Sequence, residues 1–77
     1  MEAYYQALAA LLPEDERFEI TYDQDCELIN ITTYDVMIPS DTAAKIFEYC
    51  SRHSLRCYIA WSCVKAQLLL GIFKNIP

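Results

Sequence analysis

The chain has 77 residues, a net charge of −5 at neutral pH, four cysteines and a single glycine. That length makes one domain, and a domain of this size buries only about 60% of the surface its unfolded chain exposes. The acidic balance argues against a general nucleic-acid binder, which needs a net basic face. A chain with one glycine cannot contain the G-x-x-x-x-G-K or G-x-G-x-x-G phosphate loops.

Residues 2–12 read as a helix, because Tyr4, Ala7, Leu8 and Leu11 recur at i, i+3, i+4 and i+7. Pro13 stops it, since its ring clashes with the preceding turn and disfavours α backbone at residue 12. Residues 17–22 alternate, with Phe18, Ile20 and Tyr22 facing one way and Glu19 and Thr21 the other, which predicts a half-buried strand. Asp23-Gln24-Asp25 reads as a turn without the glycine that hairpins prefer. A second strand carries Ile29 and Ile31 on one parity and Tyr34, Val36 and Ile38 on the other. The phase slips near Thr32-Thr33, where a bulge or a break into two strands is expected.

Pro39-Ser40-Asp41 opens a second helix, with Ser40 suited to the N-cap and Asp41 to the positive end of the dipole. Ala43, Ile46, Phe47 and Cys50 form its apolar stripe, with Ser54 on the same side and Arg52 and His53 in the last turn. Residues 57–63 alternate Cys57, Ile59, Trp61 and Cys63 against Tyr58, Ala60 and Ser62, a strand that places Trp61 in the core. Residues 66–73 read as a closing strand, with a helix as the alternative. The order α-β-β-α-β-β predicts an α+β fold in one compact domain, 1–77, its mostly antiparallel sheet covered on one face by two helices.

No catalytic or metal constellation emerges. Asp23-x-Asp25-x-Glu27 has the alternation of a calcium loop, but Leu28 and Tyr34 stand where such a loop needs its glycine and bidentate glutamate. The cysteines make no C-x-x-C pair and His53 is the only histidine, so no zinc site is expected. Cys26 lies between Asp25 and Glu27, which oppose thiolate formation; Cys50, Cys57 and Cys63 read as small core residues. The expectation is a protein with no cofactor and no enzymatic activity. The apolar run A-Y-Y-Q-A-L-A-A-L-L follows Glu2 and lacks the basic start expected of a secretory leader, and no run reaches the ~18 apolar residues of a membrane helix. The expected compartment is the cytosol, with four free thiols and no membrane partner.

The charge is unevenly distributed. Residues 1–41 hold ten acids and one base, Arg17, a balance of −9; residues 42–77 hold Glu48 against five bases, a balance of +4. Asp23, Asp25 and Glu27 sit at every second position with Glu19 four residues before them, flanked by Glu14, Asp15, Glu16 and Asp35. Set on a hairpin, these eight residues make a compact array of like charge. Such an array serves solubility and edge protection, or it occupies a basic groove built for nucleic acid, reached by electrostatic steering.

With its E-D-E-R-F-E and Y-D-Q-D-C-E stretches, this short, acidic, glycine-poor and tyrosine-rich chain resembles the phage anti-CRISPR proteins directed at type I effector complexes. The resemblance lies in general character, since that group shares no motif. It implies a stoichiometric inhibitor that binds the DNA-binding surface of a CRISPR effector subunit without binding nucleic acid itself. The +4 half departs from an even acidic surface, which limits mimicry of DNA to one face. The alternative is a small regulatory or interaction domain that pairs through a sheet edge or a tyrosine-rich face. A monomer is expected, with head-to-tail association of the unlike halves as the other arrangement.

Overall fold

A computed structural model describes residues 1–13, 17–34 and 38–74. The elements run α1 (Glu2–Leu11), β1 (Phe18–Asp23), β2 (Leu28–Thr33), α2 (Ser40–Arg52), β3 (Leu55–Ser62) and β4 (Gln67–Lys74). The strands form one antiparallel sheet in the order β1-β2-β4-β3, so β1 and β3 are its edges. The fold is α+β, and residues 66–73 fall largely in a closing strand.

The strand alternation separates two faces. Ile29 and Ile31 of β2 stand beside Ile72 and Leu70 of β4, and all four are fully buried. Leu8 of α1 and Ile46 and Cys50 of α2 join them in one core cluster, so both helices cover that face. The opposite face carries no helix. There Asn30, Thr32, Leu69 and Phe73 are half-buried at the sheet's centre, and Glu19, Thr21 and Asp23 line the β1 edge.

The phase slip after Thr32 has a simple cause. Thr33 is buried on the same face as Ile29 and Ile31, and β2 ends there, so the described strand contains no bulge. Beyond it, the Tyr34 amide still donates to the Arg17 carbonyl at 2.9 Å. Val36 lies outside the described residues.

Four placements differ from expectation. Ser40 is the first helical residue and Pro39 the cap, with no side-chain cap bond; proline there forgoes an amide that a helix start leaves unpaired anyway. The buried stripe of α2 is Thr42, Ile46 and Cys50, a strict i, i+4, i+8 row, whereas Phe47 is 42% exposed. Trp61 shares parity with Cys57 as expected, yet it is 45% exposed and Ile59 58% exposed. Cys63 is an exposed loop residue rather than a strand residue in the core. The last two share one origin. Along β3, an edge strand, the helical-side residues pass from buried Leu55 and half-buried Cys57 to exposed Ile59 and Trp61. The helical layer therefore covers the start of this strand and not its loop end.

Both hairpins are built to one plan. Each has a four-residue loop, Gln24–Glu27 or Cys63–Ala66, whose last residue takes a left-handed backbone, at φ 50° for Glu27 and φ 51° for Ala66. In each, the last side chain of the entering strand closes the loop. Asp23 Oδ1 accepts from the amides of Asp25 (3.0 Å) and Cys26 (3.3 Å), and Ser62 Oγ accepts from the amide of Lys65 (3.3 Å). Such side-chain closure is the chemistry that favours Asp and Ser in turns.

Candidate partner-binding surfaces

Four of the eight acids singled out from the sequence, Glu19, Asp23, Asp25 and Glu27, lie among the described residues and are exposed. Glu14, Asp15, Glu16 and Asp35 lie outside them. Glu19 and Asp23 point to the helix-free face of β1, about 13 Å apart along the strand. Asp25 and Glu27 follow on the loop, so the four form one acidic margin running off the end of the sheet.

Their duties differ. Asp23 is committed to closing its own loop. Glu19 accepts a 2.6 Å hydrogen bond from the Tyr34 hydroxyl. That bond, and the carboxylate's charge, push the Tyr34 phenol above its ordinary value, because a phenolate there would face an anion. Asp25 and Glu27 have no ion-pair or side-chain hydrogen-bond partner among the described residues. Of the four, these two carboxylates are not engaged by another described side chain. The four acids thus combine one turn-former, one strand anchor and two charges unengaged by described side chains.

The antiparallel register sets the two loops at opposite ends of the sheet. Ile29, next to the acidic loop, pairs with Ile72, whereas Thr33, at the other end of β2, pairs with Leu68, next to the second loop. The second loop carries Lys65 and Val64, the latter 96% exposed. Behind it on β3 stand Trp61, Ile59 and Tyr58, each more than two-fifths exposed. Sequence reasoning missed this apolar end. Its one available signal was Val64, an apolar residue in the middle of a loop.

Between the helices runs a shallow groove lined by Leu11, Lys45, Glu48, Tyr49 and Arg52. It is laced by an Arg52–Glu48 ion pair at 2.6 Å, one helical turn apart and open to solvent, a contact of about 0.3–0.5 kcal/mol. Beside it His53 packs on Tyr49, with ring centroids 4.3 Å apart, and on Tyr4 at 5.5 Å. His53 is the C-cap of α2 and an aromatic contact; no nucleophile is hydrogen-bonded to it among the described residues. Cys50, buried at the end of the α2 stripe, has its thiol pushed up to about 11 by desolvation and by nearby Cys57. Burial also raises Cys57. Both are therefore thiols at neutral pH, poor as nucleophiles and as metal ligands. Among the described residues no three His, Cys, Asp or Glu side chains gather as a metal site, and no helix is long and apolar enough to cross a membrane.

Compared with known proteins, the chain matches no family model, no curated protein and no solved structure.

Proposed function

We propose that this protein is a small, non-catalytic binding module that docks its acidic β1–β2 loop on a basic surface of a partner protein. The observation that carries the reading is the contrast within the acidic margin. Asp23 and Glu19 are used internally, while the Asp25 and Glu27 side chains stand exposed at the tip with no partner among the described residues. Unpaired like charges on one loop repel and contribute nothing to folding, whereas they steer association with a cationic groove. Of the basic half, Lys65 sits on the other loop, whereas the β2–β4 register carries Lys74 to the acidic loop's end of the sheet.

The narrower form of the proposal is an inhibitor of a type I CRISPR effector complex that covers part of its DNA-binding surface. It rests on the resemblance in character described above, with mimicry confined to the face that carries the acidic loop. The test is competition. The wild type should displace duplex DNA from a reconstituted type I effector complex, and an Asp25→Asn, Glu27→Gln variant with an unchanged melting temperature should not.

A further inference from the structure

The β3 edge supports an inference that goes beyond the acidic loop. We propose that two copies of the chain associate through their β3 strands, antiparallel about a two-fold axis near Ile59, forming one eight-stranded sheet. An edge strand presents a row of unpaired backbone donors and acceptors, and proteins that stay monomeric blunt it with short length, proline, charge or a covering element. β1 is blunted in this way: it has six residues and carries Glu19 and Asp23. β3 has eight residues, no proline and a single charged residue, Arg56. Its uncovered length also carries the apolar side chains Ile59 and Trp61 on the helical side.

The register selects the occupant. Side chains alternate along a strand, and directly opposed residues of an antiparallel pair share a face. Pairing Ile59 with its own copy therefore keeps both helical layers on one side. Trp61 then meets Cys57 of the second copy, and Arg56 meets Ser62. Cys57 is half-buried and packed against the core that α2 helps to close. Each Trp61, uncovered by its own helices, thus comes to lie beside the other copy's α2, whose Phe47 is likewise exposed. No charged residue faces its like across the axis. A two-fold contact of this kind closes on itself and stops at the dimer. Both acidic loops remain outside it, on the β1–β2 hairpins at the two outer edges.

Trp61 is the only tryptophan, so it reports the contact directly. Sedimentation velocity over a dilution series up to millimolar should show mass rising from one chain to two and no further. Trp61 emission should shift to the blue with the same midpoint. Ile59→Lys sets two ammonium groups on the axis and should weaken association at least tenfold. Its unfolding transition at low concentration should stay unchanged, because Ile59 is mostly exposed. Ile59→Thr, which keeps the β-branch, should weaken association less than the lysine variant. A chain that stays monomeric throughout, a mass that grows past two chains through β1–β3 contacts, or an Ile59→Lys dimer as tight as wild type would each overturn the proposal.

Discussion

Tyr58 lays its ring across Gly71, its direct partner in the β3–β4 pairing, in the space where a side chain at 71 would begin. The same ring stands 6.1 Å from Phe73, centroid to centroid. The only glycine in the chain is therefore spent on a close approach within the helix-free face and not on a turn. Covering a strand glycine with a cross-strand aromatic compensates for its missing side chain. Gly71→Ala should push the half-exposed ring aside and cost about 1 kcal/mol, the low end for overpacking. In a Tyr58→Ala background the same change should be neutral or stabilising, since alanine is favoured over glycine in a strand by roughly 0.5–1 kcal/mol. A double-mutant cycle by urea denaturation measures this; additive costs would contradict the contact.

Because the glycine is used elsewhere, Glu27, Ser54 and Ala66 hold left-handed backbone with side chains attached, at φ 50°, 54° and 51°. Such conformations cost an L-residue roughly 1–2 kcal/mol. Ala66→Gly should stabilise the protein by up to about 1 kcal/mol after glycine's extra unfolded-state entropy is counted. Ser54→Gly, just past the α2 cap, should act in the same direction. Thermal denaturation of each variant is the check, and a lower melting temperature for both would contradict the backbone assignment.

Adjacent residues of α2 should respond very differently. Ile46 is fully buried, so Ile46→Ala should cost about 2–5 kcal/mol and unfold much of the population. Phe47→Ala, from a site 42% exposed, should cost about 1 kcal/mol or less when the protein is dilute. Comparable costs would mean that the buried stripe had been misplaced around the helix.

That stripe also shows where the sequence was readable. Period-two and helical spacing were enough to define six elements in order, because Ile29, Ile31, Ile46 and Leu8 obey the same rule in sequence as in the core. Parity was also right for Trp61; its burial was not. Alternation says which face a residue takes but not how far the covering layer extends, and here the helices cover β3 only as far as Cys57. Phe47 and Ala43 fit the helical period as well as Thr42 does, and only packing decides which side of the stripe is covered. Asp23 looked like one charge among four until the loop amides that it binds were in view.

The thiols separate by environment. Cys26 and Cys63 are exposed, whereas Cys50 is buried and Cys57 half-buried. Two thiols should react with a disulfide reagent quickly at neutral pH and two slowly; four equal rates would contradict the burial. The raised Cys50 value also fixes a sign. An unfolded thiol ionises near its ordinary value of 9.0 and the folded one near 11, so the unfolded state binds fewer protons in between. Stability should then fall as pH rises through that window, with Cys57 acting in the same direction. Cys50→Ala should flatten the decline, and an unchanged slope would rule out Cys50 as its source.

The acidic loop is tested most directly by the association rate of wild type and of the Asp25→Asn, Glu27→Gln variant with a reconstituted type I CRISPR effector complex, measured at low and at moderate salt with duplex DNA as competitor. Wild type should bind, displace the DNA and lose on-rate as salt increases. The neutralised loop should associate at least tenfold more slowly and with little salt dependence, while its melting temperature is equal or higher. Equal rates and equal DNA displacement by the two proteins, or no binding by either, would contradict the proposed function.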